Sequence, residues 1–338
     1  MLEQRIDGPN LTLRMIECDC FDCKFDMNDH RADPGDVSTS TDRDTSPHLA
    51  AEVATQPDDW ARAATIAADH RDLLPSPGER VAVIGCGTSL FMSRAIAARR
   101  EAAGLGPTDA WPAGEVRRHD YDRYLVICRS GTTTEVIRAL RELPAGVPRT
   151  VICSSPGTPV LELADPILID EVDERSVVQT RFATTTLAIL RRHFGEDLTP
   201  AIEQARAVLA EDPAVALAGV RHAEQISFVG MGFAAALAEE AGLKLRESCR
   251  AWTEGYLATE YRHGPISIAG PGRAVWALGP VIPGLADDIA ATGAHFEHRD
   301  IDPMAELVRV HRLCLLRAAD LGLDPDRPRG LTRSVILG

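Results

Sequence analysis

One short word is written twice in this chain. Residues 81–89, VAVIGCGTS, and residues 226–234, ISFVGMGFA, each run from an apolar strand through a Gly-x-Gly turn into a helical pattern, 145 residues apart. An apolar run too short for a helix, stopped by glycine and followed by a 3.6-residue period, marks one strand-to-helix unit of a parallel sheet. The surrounding order repeats as well. In the first half the strands RVAVIG, YLVIC, TVICSS and PILID alternate with the helices SLFMSRAIAARREAAG and TTEVIRALREL; in the second, QISFVGMG, RAVWALG and HFEHRDI alternate with AAALAEEAGLKLRESC, GLADDIAATG and PMAELVRVHRLCLLRAADLG. Strands that alternate with helices form parallel sheets with right-handed crossovers. The expected class is α/β, built as two doubly wound parallel-sheet subdomains.

Length agrees: 338 residues make about two domains at roughly 150 residues each. The first subdomain is expected over residues 47–215, the second over 216–338. HLAAEVATQ and PDDWARAATIAADHRDLL, ahead of the first strand, read as two short helices split by Pro57, and SVVQTRFATTTLAILRRHF with PAIEQARAVLAED as a helical bridge between the halves. Residues 1–46 are polar, rich in Asp and without periodicity, and are expected to be a disordered leader. Cys18, Cys20 and Cys23, with His30 nearby, lack the paired short loops of a zinc site, so no metal is expected. Met27 is an alternative start.

With 36 basic against 50 acidic side chains, the average surface repels phosphate backbones, and a nucleic-acid partner is not expected. An anionic ligand needs a local pocket instead. Of those 36 cations only Lys24 and Lys244 are lysine. Lysine can release its proton near a reaction centre and arginine practically cannot, which draws attention to Lys244. Cys86, Cys128, Cys153, Cys249 and Cys314 sit singly in apolar or helical stretches, the pattern of reduced thiols. No apolar run is long enough to span a membrane and no secretory pattern opens the chain, so a cytoplasmic location without membrane partners is expected.

Three clusters carry candidate chemistry. Gly85 to Ser89 ends a strand and opens a helix, presenting backbone N–H groups and the hydroxyls of Thr88 and Ser89 at a positive helix end. Glycines serve any tight turn, and the full dinucleotide spacing is missing. The second cluster, CRSGTTTEV at Cys128 to Val136, stands at another strand end and brings Ser130, Thr132, Thr133 and Thr134 around Gly131. In a parallel sheet both turns share the carboxyl edge, where together they describe a phosphate cradle of hydroxyls and amides. The third, EAGLKLRE, sets Glu240, Lys244 and Glu247 on one helical face, and His263 follows in EYRHGP. A salt-bridge ladder and a capping histidine are the plain structural readings. A carboxylate, an amine and an imidazole are also the set that moves protons around a carbonyl.

GCGTS, CRSGTTTEV, ERSVVQTRFATT, LKLRE with TEGYLATEYRHGP, and the closing LDPDRPRGLTRSV, taken in order over residues 47–338, resemble the tandem sugar-isomerase (SIS) domains of the phosphosugar isomerase family. The likeness is greatest to the isomerase half of glucosamine-6-phosphate synthase and to the galactosamine/tagatose-6-phosphate deaminase or isomerase group. The resemblance implies two flavodoxin-like subdomains, a homodimer, no cofactor, and a hexose or hexosamine 6-phosphate as ligand. It places phosphate contacts on Ser89, Ser130 and Thr133, with Thr88 and Arg129 alongside and Val177 lining the sugar. Cys128 stands where the synthases carry serine. Glu247 would shuttle the proton between C1 and C2, Lys244 would handle the oxygens, and His263 would open the ring, reaching into the neighbouring subunit.

Two departures stand out. Arg333 takes the place of the synthase lysine that condenses with the ketose; arginine cannot form that Schiff base, but can clamp the ligand from a C-terminal lid, braced by Arg329. Met-Leu opens the chain, with no glutaminase-type domain or N-terminal cysteine, so glutamine is not expected to be its nitrogen source. The expected function is isomerisation of a sugar phosphate or deamination of an amino-sugar phosphate. Alternatives are a fructosamine-phosphate deglycase, or a non-catalytic regulatory protein that binds sugar phosphates.

Overall fold

Residues 47–117 and 119–338 are described in the computed structural model; the leader, with its three cysteines, His30 and Met27, lies outside them. The chain runs α1 (Pro47–Asp69), β1 (Val81–Gly85), α2 (Thr88–Ala102), β2 (Thr108–Pro112), β3 (Arg123–Ile127), α3 (Thr134–Glu142), β4 (Arg149–Cys153) and β5 (Asp165–Leu168). A helical bridge follows: α4 (Arg181–His193), α5 (Thr199–Ala210) and the single turns α6 (Pro213–Ala216) and α7 (Ala218–Arg221). The second half is β6 (Gln225–Gly230), α8 (Phe233–Cys249), β7 (Trp252–Leu257), β8 (Ala274–Leu278), α9 (Leu285–Ala291), β9 (His295–His298) and α10 (Pro303–Asp320).

Both sheets are wholly parallel, in the orders β2-β1-β3-β4-β5 and β7-β6-β8-β9. The order reverses between β1 and β3, and again between β6 and β8, which opens a crevice at the carboxyl ends of those strands. The central strands β1, β6 and β8 are buried along their whole length, so both faces of each sheet are covered there. Val81 and Val83 of β1, with Ile226 and Phe228 of β6, face a shared core filled by α1, α2, α4, α8 and α10. Ala82 and Ile84 turn the other way, onto Val136 and Leu140 of α3; Val229 and Val275 likewise meet Leu285 and Ile289 of α9. A layer of helices is thus held between two sheets, each with a further helix outside.

Local reading of the sequence needs correction at three places. Pro57 does not split the first helix: α1 runs unbroken through it. Leu49, Val53 and Trp60 are buried in the shared core, and that burial outweighs the hydrogen bond proline removes. The bridge helix begins only at Arg181, because residues 174–180 are held in a bent, non-helical path by hydrogen bonds described below. Finally, β2 and β7 are strands the pattern did not reveal; both are edge strands with largely half-buried or exposed positions.

The duplicated turns share one geometry. Gly87 and Gly232 hold φ of 56° and 55°, where a side chain is strained. Gly85 and Gly230 are glycine for another reason: a Cβ on Gly85 would lie 2.5 Å from the backbone of Ser89, and one on Gly230 2.3 Å from that of Ala234. The strand end therefore rests directly on the first helical turn. Gly85→Ala has to push α2 off β1, and is expected to lower the unfolding free energy by about 2–3 kcal/mol in urea titrations.

Candidate functional site

The carboxyl ends of β1 and β3 bring the two hydroxyl turns together. Ser89 and Ser130 are buried, and Ser130 Oγ lies 3.3 Å from Thr133 Oγ1 and 3.2 Å from Ser334 Oγ. Thr132 Oγ1 donates to the same Ser334 oxygen at 3.0 Å. Ser334 belongs to the segment after α10, which returns to the first half and caps the cradle. It is pinned there by Thr134 N donating to Val335 O at 3.1 Å and Leu337 N to Thr134 Oγ1 at 2.9 Å. Open space among Cys86, Ser89, Cys128, Ser130, Thr133, Gln179 and Arg333 amounts to about 30 Å³, room for about one or two water molecules. Cys128 Sγ stands 4.0 Å from Ser130 Oγ, on the cavity wall.

Lys244 joins this turn to the second half. Its ammonium donates to Thr88 Oγ1 at 2.9 Å and to Glu247 Oε2 at 2.5 Å, with Glu240 Oε1 at 3.4 Å. Lys244 and Glu240 are each 1% exposed, whereas Glu247 keeps 18% of its side chain open. Burial alone pulls the ammonium down, but the carboxylates of Glu240 and Glu247 outweigh it and hold Lys244 above its ordinary value. Burial pushes Glu240 up to about 7 despite the pull of that ammonium. The arrangement sets a semi-exposed carboxylate beside a fixed cation, close to the glycine turn that opens α2.

Behind the cradle, Arg129 acts as a brace. Its guanidinium pairs with Glu174 Oε2 at 3.1 Å and donates to the carbonyls of Ser176 and Val177 at 3.2 and 2.9 Å, and of Arg333 at 3.3 Å. Both partners are buried, so the pair rigidifies residues 174–180. Val177 N in turn donates to Asp326 O at 3.1 Å. Asp326 also caps α1 through Leu49 N at 2.8 Å, tying the C-terminal segment to the first helix. Arg333 reaches Asp173, the carbonyl of Glu174, and Ser155 Oγ at 3.1 Å, and lines the cavity. Arg329 has no side-chain partner among the described residues.

His263 stands apart from this cluster. It lies exposed on the turn after β7, and no hydrogen bond or ion pair joins its ring to Glu247 or Lys244 among the described residues.

A pseudo-twofold relates α2 to α8. Along α2, Thr88, Arg94 and Arg99 meet Lys244, Glu239 and Phe233 of α8 in turn, so the helices lie antiparallel. At the second end, Thr88 and Lys244 are replaced by Phe233 and Arg99, whose guanidinium stacks 4.9 Å from the ring centre. Arg191 lies over the same ring at 5.2 Å. One end of the helix pair carries an amine, carboxylates and a hydroxyl; the other is closed by stacking.

The core behind Lys244 titrates in two opposite senses. His311, on α10, is pushed down to about 3 by burial and by the Lys244 charge. The unfolded chain takes up a proton below about 6.5 where the native one does not, so stability is lost as pH falls from 6.5 toward 3. Glu240 is raised, so its contribution is full below 4.5 and is lost as pH rises toward 7. Between pH 4.5 and 6.5 the two slopes, each at most about 1.4 kcal/mol per pH unit, oppose one another. Urea midpoints are expected to fall toward acid in Glu240→Gln and toward neutrality in His311→Leu, each more steeply than in the parent.

Comparison with known proteins agrees with this fold. No family model matches the chain. It is 26% identical over 303 residues to a glutamine–fructose-6-phosphate aminotransferase (isomerizing) of Methanothermobacter thermautotrophicus, an alignment covering 76% of this chain and 51% of that protein. The protein of the same name from Thermus thermophilus is 28% identical over 319 residues, covering 77% and 52%. These relatives agree with the resemblance to the tandem SIS-domain phosphosugar isomerase family. The chain spans about half the length of these curated relatives. The same SIS fold appears in tagatose-6-phosphate ketose/aldose isomerase of Escherichia coli, with TM-score 0.72 at 18% identity over 86% of this chain and 96% of that one. Glucosamine-6-phosphate deaminase of Thermotoga maritima gives 0.68 at 21% identity, over 86% and 99%. No helix of the described residues is long and apolar enough to cross a membrane.

Of the residues singled out in the SIS motifs, Thr88, Lys244 and Glu247 converge in one chain, and Ser89, Cys128, Arg129, Ser130, Thr133 and Arg333 line the adjoining cavity. Val177 flanks it through the Arg129 brace. Three residues escaped the sequence reading. Ser334 follows Arg333 in the closing motif, Glu174 is the buried partner of Arg129, and Gln179 is the polar interruption of SVVQT.

Proposed function

We propose that this chain interconverts ketose and aldose forms of a hexose or hexosamine 6-phosphate; when the substrate is an amino sugar, the same proton shift gives a C2 imine that water hydrolyses to the ketose, releasing ammonia. One observation carries the reading: Lys244, buried in the second half, bonds both Glu247 and the Thr88 hydroxyl of the first half's anion turn. Phosphate is taken by the hydroxyls of Ser89, Ser130 and Thr133 and by amides at the starts of α2 and α3, once the Ser334 segment withdraws. The sugar then extends toward Glu247. Its carboxylate removes the proton on the carbon next to the carbonyl and returns it to the neighbouring carbon. A hydroxyl proton moves between the two oxygens in the same step, and Lys244 stabilises the enediolate oxygen that forms. Arg333, which cannot condense with a carbonyl, caps the ligand as part of the returning segment. A second copy of the chain supplies His263 for ring opening, which makes the working unit a homodimer.

The test is incubation with hexose and hexosamine 6-phosphates in deuterated water. Deuterium at C1 or C2 reports the enediolate, and free ammonia reports deamination. Tight binding of several sugar phosphates with no exchange in any would overturn the catalytic reading.

A further inference from the structure

We propose that Gln179 is a specificity-determining residue of this site, its amide carbonyl reading a hydrogen-bond donor on the sugar chain beside the phosphate. The inference rests on the phosphosugar reading above. Gln179 lines the cavity together with Ser89, Ser130 and Thr133. Its Oε1 is buried and has no hydrogen-bond partner among the described residues. An amide oxygen left this way costs about 1–3 kcal/mol, and the backbone that holds it is anything but slack. On one side, Arg129 grips the carbonyls of Ser176 and Val177. On the other, Thr180 N donates to Glu174 Oε1 at 2.6 Å, and Ser176 Oγ to Val178 O at 2.7 Å. The side chain is therefore presented to the cavity on a fixed frame.

Several of the neighbouring donors are already engaged. Ser130, Thr132, Thr133 and Ser334 bond one another, and the terminal nitrogens of Arg129 serve Glu174 and carbonyls. A phosphate monoester dianion brings acceptors only, so it cannot satisfy Oε1. A hydroxyl or ammonium on the carbon chain can. The ligand class this selects is a phosphorylated polyhydroxy chain in preference to phosphate alone. Sites built to bond a hydroxyl reject ligands without one, because the buried acceptor is then left unpaired.

The experiment is calorimetric titration of the full chain with two probes, fructose 6-phosphate and inorganic phosphate, on the parent, Gln179→Met and Gln179→Asn. The methionine variant keeps the volume and removes the acceptor. Its affinity for fructose 6-phosphate is expected to fall about tenfold or more, with that for inorganic phosphate unchanged within about twofold, so that the ratio between the probes collapses. The asparagine variant keeps the amide but withdraws it by one methylene, and is expected to fall between. Should either variant retain the parent's ratio, Gln179 does not read the sugar and the phosphosugar site stands without it. Should the parent bind no sugar phosphate, the reading of the site itself fails, and this inference with it.

Discussion

Glu247→Gln is expected to slow deuterium exchange into substrate by about 10³-fold while sugar-phosphate affinity stays within about twofold. The amide is the same shape but accepts no proton at working pH, and Glu247 touches Lys244, not the cradle hydroxyls. Because the side chain is 18% exposed, the fold does not depend on its charge as it does on the neighbours behind it. Exchange rates by NMR and affinity by calorimetry separate the two quantities. Undiminished exchange would remove Glu247 from the mechanism.

Lys244→Met is expected to damage both chemistry and stability. The ammonium is enclosed by Glu240 and Glu247 and bonded to Thr88; removing it leaves Glu240 buried without a counter-charge. Breaking a buried pair this way costs about 3–5 kcal/mol. The second substitution Glu240→Gln in the same chain is expected to return most of that loss, since it removes the stranded carboxylate, yet exchange stays abolished because no cation faces the developing oxyanion. Urea unfolding and exchange measured on the single and double variants form a cycle. Recovery of exchange in the double variant would show that the lysine serves the fold alone.

The parts of this molecule legible beforehand are those whose signal is local. Two glycine turns with hydroxyls, and apolar strands buried on both faces, announce parallel sheets and their carboxyl edge directly. Residues 108–112 and 252–257 gave no such signal, because an edge strand buries little and TDAWP and WTEGYL carry Asp, Pro, Glu and Gly where a central strand carries Val and Ile. Pro57 misled for the complementary reason: its local penalty is real, but the core contacts of Leu49, Val53 and Trp60 decide the matter from a distance. Within the site, the i, i+4, i+7 spacing showed Glu240, Lys244 and Glu247 on one face, whereas the Thr88 contact spans 156 residues and Ser334 meets Ser130 across 204. Contacts of that range leave no periodic trace in the chain.

The stacked end formed by Phe233 and Arg99 supplies an internal reference for every experiment on its twin at Thr88 and Lys244. Both ends share the same turn, the same helix pairing and the same solvent, and differ in a handful of side chains. Grafting threonine at 233 and lysine at 99 asks how much of an enzyme is scaffold already in place. Any signal that arises there measures what the surrounding loops contribute, independently of the pair that evolution kept.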